Sequence, residues 1–70
     1  MLRFEFNIKR GQVLDIYECL DQVEHDFELR YGVFYRGCTF AEIVVLDEGQ
    51  NEIEAVLNKF GIKYEWERIL

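Results

Sequence analysis

The stretch YRGCTFAEIVVLD, from Tyr35 to Asp47, decides how this chain folds. It is the most apolar part of the sequence, yet its apolar residues fall on both parities and Glu42 stands in its middle. A strand with one wet face alternates apolar and polar residues. Here the second parity also carries Phe40, Val44 and Leu46, so the strand has two greasy sides and only one can face a core.

The segments around it fix its setting. Leu2, Phe4, Phe6 and Ile8 alternate with Arg3, Glu5, Asn7 and Lys9, the pattern of a half-buried strand. Gly11 ends that run and serves as a weak helix start. From Gln12 to about Glu24, Val13, Ile16, Tyr17, Leu20 and Val23 keep helical spacing. Phe27, Leu29, Tyr31, Val33 and Tyr35 then alternate as a second strand, which turns near Arg36-Gly37 into Thr39 to Leu46. Asp47, with Gln50 three residues on, resembles a capping box for a helix carrying Ile53, Val56, Leu57 and Phe60. Gly61 stands where a left-handed C-cap belongs, and Ile62, Tyr64 and Trp66 alternate in a last strand.

The order β-α-β-β-α-β predicts a single α+β domain over residues 1–70. Two right-handed crossovers joined by a hairpin put both helices on one face of a four-stranded antiparallel sheet. This is a ferredoxin-like sandwich with strand order 4-1-3-2, and the opening stretch is one of its two central strands.

Hairpin loop length decides which parity of that strand is buried, because a one-residue slip exchanges the faces. A two-residue loop at Arg36-Gly37 pairs Tyr35 with Cys38 and Tyr31 with Glu42, placing a carboxylate under the helices. An odd loop or a bulge at Gly37 instead groups Val33 and Tyr35 with Thr39, Ala41, Ile43 and Val45 in the core. The second register avoids an unpaired buried carboxylate and is the one expected. Phe34, Phe40, Glu42, Val44 and Leu46 then form an open-side contact surface, with Arg3, Glu5 and Arg30 nearby to pair with Glu42.

Composition narrows function. The 14 acidic against 8 basic residues give a net charge of −6, which disfavours nucleic acid and anionic membrane surfaces. No secretory leader or membrane span is evident, so a complete, cytoplasmic protein is expected. Cys19 and Cys38 form no CxxC and are expected as buried thiols. Serine is absent, which excludes a serine triad. His25 is the lone histidine, and Glu24-His25-Asp26 splay around the backbone, so no metal, cofactor or catalytic group is expected. Arg36 to Ile43 keeps the Arg-Gly, Phe and aliphatic sites of an RNA-recognition strand, but Cys38 and Ile43 replace its stacking aromatics.

Two further segments resemble the ACT family of small regulatory domains. Arg10 to Ile16 is similar to that family's Gly-plus-aliphatic entry into the first helix, with Arg10 where Pro is usual. Leu57 to Tyr64 is similar to its second-helix ending. The resemblance implies a dimerising regulatory module that senses a small molecule such as an amino acid, held near Gly11, Gln12, Val13 and Leu14. The expected function is a noncatalytic module that self-associates through its sheet as a homodimer. An alternative is an acidic, phage-type inhibitor that blocks a basic protein, suggested by the clusters Asp21 to Glu28 and Asp47 to Glu54.

Overall fold

The computed structural model describes residues 1–70. Strands β1 (Leu2–Lys9), β2 (Phe27–Tyr31), β3 (Cys38–Val45) and β4 (Tyr64–Arg68) combine with helices α1 (Val13–Leu20), between β1 and β2, and α2 (Gln50–Lys59), between β3 and β4. A 3-10 turn precedes each helix, at Arg10–Gln12 and at Asp47–Gly49. The strands form one antiparallel sheet in the order β2-β3-β1-β4, which reads 4-1-3-2 from the opposite edge. This α+β arrangement is compatible with a ferredoxin-like sandwich.

Alternation in β1 is the backbone of the core. Leu2, Phe4, Phe6 and Ile8 are all buried, and β3 adds Ala41, Ile43 and Val45 in register opposite them. Ile16 and Leu20 of α1 and Ile53, Val56 and Leu57 of α2 close the same side. Burying side chains of this size contributes roughly 1.5–3 kcal/mol each, which is what lets a chain this short hold one core. The helix-2 ending follows the expected left-handed cap. Gly61 has φ of 66°, its N–H donates to Asn58 O at 3.1 Å, and the Ile62 N–H donates to Leu57 O at 3.0 Å.

The β2–β3 connection combines the two registers considered above. Arg36 and Gly37, with φ of 53° and 79°, make a two-residue turn closed by a Tyr35–Cys38 bridge. Further down, however, Tyr31 faces Ala41 and Arg30 faces Glu42. Gly32, Val33 and Phe34 therefore stand opposite only Thr39 and Phe40, a one-residue excess that acts as a bulge. The excess lies beyond Tyr31 and not at Gly37. Thr39, Ala41, Ile43 and Val45 are buried as expected, but Val33 and Tyr35 are not: they are 92% and 74% exposed. β2 ends at Tyr31 because the bulge takes the next residues off the ladder.

Three local expectations are also corrected. α1 stops at Leu20 and not near Glu24, because Gln22 and Val23 donate three residues back, to Cys19 O and Leu20 O, tightening the chain into a turn. Asp47 does not cap α2. Its carboxylate takes the Met1 ammonium at 2.6 Å and Arg68 Nη2 at 3.3 Å instead, and those cations hold it below the usual carboxylate range. Cys38 is exposed, since it opens β3 on the uncovered side, while Cys19 is half-buried.

Two glycines give a paired test. A Cβ on Gly49 would stand 2.5 Å from Val45 Cγ2 and 3.2 Å from His25 Cβ, whereas one on Gly11 meets nothing within 4 Å. Gly11 also lacks a positive φ. In denaturant titrations Gly49→Ala is expected to destabilise by about 1–3 kcal/mol. Gly11→Ala is expected to be neutral or to stabilise by up to about 1 kcal/mol.

Candidate functional site

One face of the sheet carries no helix. The register places Arg3, Val44 and Glu28 in one row across it, and Glu65, Glu5, Glu42 and Arg30 in the next. Phe40 follows beside Asn7. Strands lie roughly 4.8 Å apart, so Glu65, Glu5 and Glu42 are carboxylates set abreast on three adjacent strands. Like charges directly opposite each other destabilise a ladder, by about 0.2–1 kcal/mol per pair.

The local arginines neutralise this row only in part: Arg3 and Arg30 both feel the Glu42 charge, but neither pairs with it directly. Arg3 pairs with Glu67 and, at 3.2 Å, with Glu5. Arg30 faces Glu42 in register but turns to Glu28 at 2.8 Å. Glu42, expected to pair with an arginine, has no ion-pair partner, and neither does Glu65. The cause is local. Glu28 lies two residues from Arg30 on the same strand face and needs no cross-strand reach.

Apolar surface flanks the row on both sides. Toward the hairpin, Phe40, 55% exposed, lines a depression of about 360 Å³ with Glu5, Asn7, Lys63 and Glu65. At the other end, Val44 and Leu46 line a groove of about 350 Å³ with Met1 and Phe27. Phe40, Glu42, Val44 and Leu46 thus lie on the open side. Phe34 does not join them. The bulge turns its ring onto Tyr31, at 5.9 Å between centroids, and under the Arg10 guanidinium at 5.1 Å. Tyr31 in turn meets Tyr17 of α1, so Phe34 belongs to the helix side of the hairpin tip. Sequence pattern missed both the carboxylate row, which needs the register of three strands, and this aromatic cluster.

The ligand residues implied by the ACT resemblance are not gathered together. Gln12 lines a cleft of about 260 Å³ with Asn7, Lys9, Lys63, Cys38 and Phe60. Gly11, Val13 and Leu14 do not line it, and Leu14 points away with 69% exposure. The cleft holds two lysines and no carboxylate.

His25 has a structural role. Its Nδ1 meets a Glu52 carboxylate oxygen on α2, and the other Glu52 oxygen accepts the Glu24 N–H at 2.9 Å. This latch ties the loop after α1 to α2. The Glu52 hydrogen bond raises the His25 pKa above 6.5, while the Glu24 N–H and His25 lower that of Glu52 below 4.5. No group of acids, cysteines and histidine is arranged to hold a metal ion, and no helix is long and apolar enough to cross a membrane.

No protein-family model, curated protein or solved structure matches this chain. The ACT resemblance thus has no support beyond its two short motifs.

The latch makes stability depend on pH in a defined sense. A raised histidine pKa stabilises below 6.5 and the effect is lost as pH climbs through the raised value. A lowered Glu52 pKa stabilises above 4.5 and is lost as pH falls through the lowered value. The melting-temperature gap between wild type and His25→Ala is therefore expected to be widest between those two values and to narrow in alkali. A gap that grows steadily above neutral pH would contradict the latch.

Proposed function

We propose that this chain is a noncatalytic, ferredoxin-like interaction module whose open sheet face binds a basic protein surface. The carrying observation is the Glu65–Glu5–Glu42 row, with Glu42 and Glu65 unpaired, set between exposed Phe40 and the Val44–Leu46 groove. An apolar patch alone would accept many partners. Carboxylates already crowded against each other select a cation, because a Lys or Arg between them relieves repulsion as well as adding attraction. Two copies laid sheet to sheet would instead oppose their acidic rows, so the face favours a cationic partner over its own image. This charge pattern supports the inhibitor-type role over a symmetric sheet-to-sheet homodimer.

A second, small-molecule role draws on the cleft at Gln12. Lys9 and Lys63 with the amides of Asn7 and Gln12 suit a small carboxylate or other anion, such as an amino acid. A thermal-shift panel of amino acids and organic anions tests it: binding to the folded state raises the melting temperature by mass action. A flat panel would remove the sensor role.

For the protein-binding role, an isotope-labelled sample titrated with a peptide of alternating Lys and Phe stands in for the basic partner. Amide shifts are expected along β1 and β3 and around Glu65, and Glu42→Lys is expected to weaken binding about tenfold. Shifts confined to the helices, or none, would refute the assignment.

A further inference from the structure

The hairpin tip is the chemical complement of the open face. No Asp or Glu occurs between Tyr31 and Ala41, and three of the eight basic residues, Lys9, Arg10 and Arg36, lie at this end of the sheet. None of the three forms an ion pair within the chain. Val33 and Tyr35 are the most exposed apolar side chains near it, and the Arg36 guanidinium lies over the Tyr35 ring at 5.4 Å. Tyrosine and arginine are the residues that most often anchor protein interfaces.

The tip is also held in shape. Tyr35 and Cys38 exchange backbone hydrogen bonds of 2.8 and 3.1 Å, and the Arg10 N–H donates to Gly37 O at 2.8 Å. Arg10 and Tyr31 pin Phe34 from two sides. Little loop freedom remains to be lost on docking, which favours affinity. Yet the tip cannot serve its own face. Pairing fixes Cys38 four residues up the strand from Glu42, about 13 Å away at the usual rise per residue.

We propose that the basic surface received by the open face is the hairpin tip of a second copy of this chain, docked head to tail. The inference rests on the protein-binding role assigned above and names the occupant. Tyr35 enters the depression beside Phe40, and Arg36 reaches the Glu65–Glu5–Glu42 row, where Lys63 is the only opposing cation lining that depression. After a single contact one copy keeps a free face and the other a free tip. Such a heterologous contact builds either a closed ring, the smallest being a pair that exchanges tips reciprocally, or an open filament.

Complementation tests it directly. Arg10→Glu/Arg36→Glu keeps the face and spoils the tip; Glu5→Gln/Glu42→Gln keeps the tip and spoils the face. Sedimentation velocity should show wild type associating with concentration, each variant alone monomeric, and their equimolar mixture forming a dimer that grows no further. Tyr35→Thr, at an exposed site that leaves the core untouched, should weaken wild-type association about tenfold. A wild type monomeric up to about 1 mM, a variant that associates like wild type, or a mixture that stays monomeric would overturn head-to-tail docking. The Lys/Phe peptide titrated into the Arg10→Glu/Arg36→Glu variant separates the two levels. Binding there with no wild-type association leaves the basic-partner role standing and removes only the second copy.

Discussion

Between the Tyr35–Cys38 bridge and the Tyr31–Ala41 pair, β2 brings three residues where β3 brings two. That single surplus residue governs the rest of the molecule. It lets a tight Arg36-Gly37 turn coexist with a ladder in which Ala41, Ile43 and Val45 face the helices. Without it, one of the two strands would turn the wrong parity inward: either Glu42 would enter the core, an insertion that carries a penalty of several kcal/mol for an unpaired carboxylate, or Phe27 and Leu29 would turn to the open side. With it, Glu42 stays on the open side, where the β1–β3 and β1–β4 registers set it in line with Glu5 and Glu65.

The buried and open parities of β3 were legible from the sequence because a mid-strand glutamate can lie on only one of them. Both helices, the four strands and the Gly61 cap were legible for a related reason: each rests on local spacing. What escaped depended on residues far apart in the chain. Val33 and Tyr35 prolong the alternation of Phe27, Leu29 and Tyr31, so pattern alone extends β2 through a bulge that only pairing with Thr39 and Phe40 reveals. Asp47 has the right offset from Gln50 for a cap, but the Met1 ammonium and Arg68 outcompete backbone N–H groups for its carboxylate. Of the candidate site, Phe40, Val44 and Leu46 were readable as apolar residues on the open parity, and Phe40 and Leu46 are exposed while Val44 is half-buried. The acidic row was not, since Glu5, Glu42 and Glu65 become neighbours only through the sheet order.

The resulting molecule is polarised despite its overall acidity. One end presents Arg10, Arg36 and exposed aromatic surface, and the uncovered sheet presents glutamates framed by apolar hollows. A small domain usually tolerates a bare sheet face by coating it with long charged stems. Arg3 and Arg30 begin such a coat here, but their guanidinium groups are already engaged by Glu67, Glu5 and Glu28. The face that remains is acidic, partly greasy and rigidly spaced, which suits recognition better than concealment.

Cross-strand contacts between β2 and β3 in solution, measured by nuclear Overhauser effects, probe the surplus residue most directly. Contacts joining Arg30 to Glu42 and Tyr31 to Ala41, together with a Tyr35–Cys38 closure, are the expected pattern. Tyr31 opposite Glu42 and Val33 opposite Phe40 would mean an even ladder with no bulge, in which β2 and β3 could not both turn their apolar parity to the helices.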